Sequence, residues 1–145
     1  MRGYFGIGIY QGKTFENVGT LWRSADLMGA AFMFTIGKRY KKEASDTMKS
    51  FRHIPLYNYV SFDDFHKAMP YDCLLVGVEL HTDSTPIKEF NHYERCIYLL
   101  GAEDHGLSKE CINKCHKLIQ LPGRKSMNVA VAGSIVMFDR INKQS

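Results

Sequence analysis

Three short segments of this 145-residue chain carry polar side chains and glycines at spacings that can build a site. The first is Asn17-Val18-Gly19-Thr20-Leu21-Trp22-Arg23-Ser24-Ala25. The second is Leu99-Leu100-Gly101-Ala102-Glu103-Asp104-His105-Gly106-Leu107-Ser108. The third runs from Ile119-Gln120-Leu121-Pro122-Gly123 through Arg124-Lys125-Ser126-Met127-Asn128 to Val129-Ala130-Val131-Ala132. Asn17 has one amide that both donates and accepts; ahead of an apolar helical pattern it is also a candidate side-chain cap. Arg23 carries a guanidinium whose pKa, above ~12, makes it a poor base. It is better suited to clamping an anion or stabilising a developing alkoxide, and a surface salt bridge is the plainer alternative. Glu103 lies in a tight turn between Gly101 and Gly106, where an isolated carboxylate bonds backbone amides or an arginine. Ser126 is a candidate cap for the helix that follows, with Asn128 beside it.

Other spacings fail. Gly6 to Thr14 ends in Gly-Lys-Thr, but a phosphate-binding P-loop needs four residues between its glycines. Gly8 to Gly12 leaves three and Gly6 to Gly12 leaves five. A dinucleotide fingerprint fails as well, because Gln11 stands where the third glycine belongs. No Ser-His-Asp or Cys-His nucleophile system can be argued. Cys73 and Cys96 sit in apolar runs and read as small buried hydrophobes. Cys111 and Cys115 share a helix face, but no second pair stands at zinc-site spacing, so no metal is expected.

The elements that must position these segments alternate. Tyr4–Tyr10 places Phe5, Ile7 and Ile9 on one face of a strand, and its glycines imply close backbone approach. From Val18 the period becomes helical through Leu21, Trp22, Ala25 and Met28, closed by Gly29. Ala31–Ile36 is a strand, and the basic stretch after Gly37 a loop with partial helix. Leu56–Val60 is a short strand; Ser61 and Asp64 open a helix ending near Met69. Cys73–Val78 and Cys96–Leu100 are continuous apolar strands of the kind buried on both faces. Thr85, Pro86 and Ile87 open a short helix between them. Ser108 caps a helix to about Lys114, Leu118–Leu121 is a strand, and a helix runs from about Asn128 to Lys143. That helix is apolar on nearly all sides as far as Phe138, which predicts burial in a core or at a subunit interface. The order predicts one α/β domain, residues 1–145, with a mostly parallel sheet flanked by helices, and ligands gather outside the carboxyl ends of such strands.

Composition sets the remaining limits. With 45% hydrophobic and 23% charged residues the chain has globular proportions, which exclude disordered and collagen-like classes. No apolar run nears the ~20 residues of a membrane span, and no signal peptide precedes the first strand, so the expected location is cytoplasmic with no membrane partner. The net charge is +4. Six basic residues stand against two acidic ones between Lys38 and Arg52, and five against one between Lys109 and Lys125. Such segregation suits a polyanion partner; the alternative is a solvated lysine-rich loop.

The spacings N-x-G-x-x-x-R-x-A, G-x-E-x-x-G-L and I-x-L-P…S-x-N-V, in that order along the whole chain, resemble the signatures of the SpoU (TrmH-type) branch of the SPOUT RNA methyltransferases. The resemblance implies transfer of a methyl group from S-adenosyl-L-methionine to a ribose 2′-oxygen of RNA. It also implies an α/β knot, with a trefoil at the C-terminal end, and a homodimer. It places Arg23, Asn17, Glu103, Ser126 and Asn128 in the catalytic site. Leu100, Gly101, Ile119, Leu121, Ser126 and Met127 fall where relatives hold the cofactor. Val78 and Glu79 are expected to close that pocket, with Glu79 accepting from ribose hydroxyls. His105 occupies a position that varies in the family and is read as a loop residue. The lead into the first motif, Gln11 to Glu16, lacks the proline-rich sequence common in the family. The small size resembles members acting on tRNA, which is preferred over rRNA. Rival readings are an RNA-binding knotted module without catalysis and methylation of a base nitrogen.

Overall fold

A computed structural model describes residues 3–37, 53–102, 104–123 and 127–144. The basic stretch 38–52 therefore lies outside the described residues, as do Glu103, Ser126 and the Arg124–Lys125 pair. The chain runs β1 (Tyr4–Tyr10), α1 (Phe15–Leu27), β2 (Phe32–Ile36), β3 (Leu56–Tyr59), α2 (Phe62–Ala68), β4 (Leu74–Val78) and β5 (Thr85–Pro86). A 3-10 turn at Ile87–Glu89 leads to β6 (Arg95–Gly101), α3 (Lys109–Lys114), β7 (Lys117–Gln120) and α4 (Val129–Gln144). All seven strands pair in parallel, in the order β3-β2-β1-β6-β4-β7-β5. Thus β7 lies between β4 and β5, which residues 79–84 join directly.

The alternation in β1 explains the two layers on the sheet. Phe5, Ile7 and Ile9 point to one face and pack with Val18, Leu21 and Ala25 of α1 and with Val136 and Met137 of α4. Each of these side chains larger than alanine contributes roughly 1.5–3 kcal/mol by its burial. On the other face stand Gly6 and Gly8, where a Cβ would collide with the rings of Phe32 and Phe34. The close approach expected of these glycines is thus made by β2 aromatics. Phe34 stacks on Phe65 of α2 at 4.3 Å, and Leu75, Ile97, Leu99 and Cys111 of α3 complete that layer.

Two boundaries differ from expectation. Helix α1 starts at Phe15, not Val18, because Thr14 caps it and accepts from the Asn17 N–H at 3.3 Å. Only Phe15 is apolar ahead of Val18 in this helix, and it stands three residues before it beside Glu16 and Asn17, too little to extend a hydrophobic period. Thr85 and Pro86 are not helical: they pair with Ile119 and Gln120 of β7, and only Ile87–Glu89 turn. The caps at Ser61 and Ser108 form as expected, accepting from Asp64 at 3.1 Å and Cys111 at 3.2 Å. Helix α4 is only half buried. Its inner face carries Val129, Ala132, Gly133, Val136 and Met137, while Val131, Ile135, Phe138 and Ile141 remain exposed. At Gly133 a Cβ would collide with Leu21 and lie 3.0 Å from Leu100, so glycine lets α4 sit close on α1 and the sheet. Among the described residues no helix is long and apolar enough to cross a membrane.

Candidate functional site

Parallel pairing brings the carboxyl ends of β6, β4 and β7 to one edge of the sheet, and a cleft opens there. Its walls are Val78, Glu79 and Leu80 after β4; Leu100, Gly101, Ala102 and Gly106 around the turn after β6; and Leu121, Pro122 and Gly123 after β7. Met127 and the α4 residues Val129 and Ala132 close it. The cleft spans roughly 640 Å3 with its open mouth included.

The turn after β6 is tightly built. Gly106 donates to the Ala102 carbonyl at 2.7 Å and adopts a left-handed φ of 63°, which glycine takes without strain. A Cβ at Gly101 would collide with the backbone of Gly106 and Leu107. The Glu79 carboxylate accepts from the Leu107 N–H at 2.6 Å and from the Leu80 N–H at 3.3 Å. The Glu79 N–H in turn donates to the Ile119 carbonyl at 2.9 Å. Of the positions expected to hold a cofactor, Val78, Glu79, Leu100, Gly101, Leu121 and Met127 line one cleft. Ile119 is fully buried in β7 and supports the cleft from behind.

A second contact ties the first segment to the third. The Asn128 side-chain amide donates to Asn17 Oδ1 at 2.9 Å. Asn128 Oδ1 accepts from Ala130 at 2.9 Å and Val131 at 3.2 Å, so Asn128 caps α4, where the sequence offered Ser126. Asn17 is not a cap; Thr14 takes that part. Arg23 lies exposed on α1, six residues and about 9 Å of helix rise beyond Asn17. His105 is exposed, with Nε2 3.3 Å from the Asp104 carboxylate, which also meets Lys13 at 3.3 Å.

The sequence pattern of the SpoU rRNA Methylase family matches residues 5–138. The chain belongs to that family. Solved structures agree on the fold of this SpoU-family chain. An AdoMet-bound rRNA methyltransferase from Sinorhizobium meliloti is 22% identical with a TM-score of 0.86, over 100% of this chain and 58% of that one. The TrmH/SpoU tRNA modifying enzyme of A. aeolicus is 19% identical with a TM-score of 0.82, over 99% and 76%. A protein studied for the 2-OH methylation of C/U34 on tRNA is 21% identical with a TM-score of 0.85, over 98% and 97%. The chain spans less than two thirds of the Sinorhizobium protein. Nothing matches among curated protein sequences.

The remaining reactive groups of this SpoU-family chain are held elsewhere. All four cysteines are free thiols. Burial pushes the Cys73 thiol up to about 11 and Cys115 up to about 12, so both stay protonated and unreactive at neutral pH. His116 Nδ1 accepts from the Leu75 N–H at 2.8 Å and serves the β4 edge. Among the described residues no group of three or more His, Cys, Asp and Glu side chains could hold a metal ion.

Sequence reasoning missed a polar cluster at the opposite end of the sheet. Arg140, only 4% exposed, donates to the Tyr93 carbonyl at 2.7 Å, the Glu94 carbonyl at 2.9 Å and the Tyr98 hydroxyl at 3.0 Å. The His92 ring lies between Tyr98 Oη at 2.6 Å and the Asp139 carboxylate at 2.7 Å. A carboxylate only accepts, so Nε2–H donates to Asp139 and Nδ1 accepts from Tyr98. Burial holds the imidazole below its ordinary 6.5, against the pull of Asp139. The signal was present: Arg140 falls on the buried α4 stripe, four residues after Val136. Of the other lining residues, Ala102, Gly106, Pro122, Gly123, Val129 and Ala132 lie within the three segments without having been singled out as cofactor contacts, and Leu80 is apolar and carries no chemical signature.

Proposed function

We propose that this chain is an S-adenosyl-L-methionine-dependent methyltransferase acting on a ribose 2′-oxygen of RNA, with tRNA the preferred substrate. The observation that carries the reading is the convergence of the motif turns. The turns after β6 and β7 form facing walls of one cleft, and Asn128 beside it bonds Asn17 of the first motif. The donor set fits the cofactor. Val78, Leu100, Leu121, Met127 and Val129 offer apolar walls to an adenine ring. Strand-end backbone groups at 100–102 and 121–123 can read its edge. The cofactor supplies a methyl on a sulfonium, already a good leaving group.

The protein's part is then to position the oxygen and manage charge. Asn17, whose Oδ1 accepts from the Asn128 amide, belongs to the acceptor side. Arg23 stabilises the developing alkoxide or grips the neighbouring phosphate. Glu103 and Ser126 complete the site by family likeness alone. A homodimer is supported by the exposed α4 stripe of Val131, Ile135, Phe138 and Ile141, whose helical spacing suits a second copy. The position of β7 between β4 and β5, themselves joined by residues 79–84, supports the C-terminal trefoil knot. The 1–145 span is read as a single methyltransferase domain, working in the cytoplasm without metal.

The tRNA preference rests on the relative whose chain is matched over 97% of its length and was studied for 2-OH methylation of C/U34. An rRNA substrate is the second reading, favoured by the rRNA methyltransferase from Sinorhizobium. The test is incubation of tRNA and of rRNA with isotopically labelled cofactor, followed by nuclease digestion and mass analysis of the nucleosides. Label on a tRNA ribose supports the proposal. Label on a base refutes it, and cofactor binding without transfer points to a binding module. Cofactor binding measured by calorimetry should persist in a chelator.

A further inference from the structure

We propose that Glu79 is a positioning residue whose carboxylate clamps Gly106 and Leu107, in the turn after β6, to the end of β4 and so sets the width of the cleft. The inference rests on the reading of the cleft as the cofactor site, and it replaces direct contact with ribose as the work of this side chain. Glu79 is fixed from both sides. Its own N–H is bonded to Ile119 of β7, and its Oε2 takes the Leu107 N–H at 2.6 Å, the shorter of its two backbone contacts. One residue thereby joins the carboxyl ends of β4 and β7 to the turn that leaves β6.

The turn is shaped to admit this carboxylate. A Cβ at Gly106 would lie 2.5 Å from Glu79 Oε2, so glycine at 106 serves the clamp as well as the left-handed backbone. Gly101 lets the turn fold flat onto its own strand. The Leu107 side chain is buried in the second core layer, only 6% exposed, so the amide that Glu79 holds is anchored at both ends. Hydrogen bonds to a charged acceptor are worth more than neutral ones. Loss of this one frees the side-chain tie between the walls that follow β4 and β6.

The test compares Glu79→Ala, Glu79→Gln and Gly106→Ala. Two readings are taken: calorimetric binding of S-adenosyl-L-homocysteine, and hydrogen exchange at the Leu107 amide. Glutamine keeps an acceptor oxygen without the charge. Glu79→Ala should weaken binding roughly tenfold or more and speed Leu107 exchange by a similar factor, with Glu79→Gln recovering most of both. Gly106→Ala should mimic Glu79→Ala while leaving the carboxylate in place, and it serves should the first variant not fold. The proposal is overturned if Leu107 stays protected in Glu79→Ala. It is overturned too if Glu79→Gln keeps the protection yet binds as poorly as alanine, since the carboxylate then touches the ligand itself. If the unmodified protein binds no S-adenosyl-L-homocysteine, the cofactor reading fails, while the exchange data still decide the clamp.

Discussion

Replacing Arg23 with alanine is expected to cut turnover by ~100-fold or more, the scale seen when a donor to a developing oxyanion is lost. Cofactor affinity should stay nearly constant, because Arg23 is on α1 and no α1 residue lines the cleft. Arg23→Lys should recover little, since an ammonium lacks the planar fork. Single-turnover assays beside calorimetry separate the two effects, and near-normal turnover in the alanine variant would remove Arg23 from the site. His92 predicts a pH dependence of stability. Its folded-state pKa lies below 6.5, so on acidification the unfolded chain takes up the proton first. The stabilisation is complete above 6.5 and drains away as pH falls through the lowered folded value. Thermal unfolding at pH 5.5 and 7.5 should show a drop that shrinks in His92→Gln. The motif residues were legible because reactive turns need particular polar groups and glycines at fixed offsets. The Asn17–Asn128 bond was not, since its partners stand 111 residues apart and chain order says nothing of which ends meet.

Helix α4 shows how an element reads differently in sequence and in the fold. Its apolar residues surround the axis, so periodicity alone signalled burial on every side, whereas contact with α1 and the sheet uses one face. Gly133 sits at that contact and gives a test with opposing effects. Alanine there improves helix propensity by about 1 kcal/mol, but the added methyl meets Leu21 and Leu100, at most 1% exposed and without room to yield. Overpacking of this kind costs ~1–3 kcal/mol, so Gly133→Ala should lower the denaturant midpoint despite the better helix former. A raised midpoint would show that α4 can slide outward. The strands were easier to read than α1, whose first turn has only Phe15 as an apolar residue before Val18, and than β5, whose two residues include a proline and carry no period at all. Pro86 is tolerated because β5 closes the edge of the sheet, where an absent N–H is cheap.

At the level of the whole molecule, the outward face of α4 makes association measurable. Phe138, 58% exposed, lies in the middle of the exposed stripe, so Phe138→Glu should shift sedimentation from twice the chain mass to one chain mass at micromolar concentration. An unmodified protein that already sediments as one chain would exclude the dimer. The α/β class and most of the strand sequence could be read from the chain, but the lateral order could not, because parallel strands leave no mark of their neighbours. That order has a consequence for synthesis. A chain emerging from its N-terminus can assemble β3-β2-β1-β6-β4 while β7 is still being made. Until then the β4 edge stands open, and unpaired edges invite pairing with other chains. Entry of β7 joins residues far apart in sequence, the kind of step that slows folding. The lining residues Leu121, Met127, Val129 and Ala132 arrive later still, so ligand capture by a nascent chain would report that its final strand has found its slot.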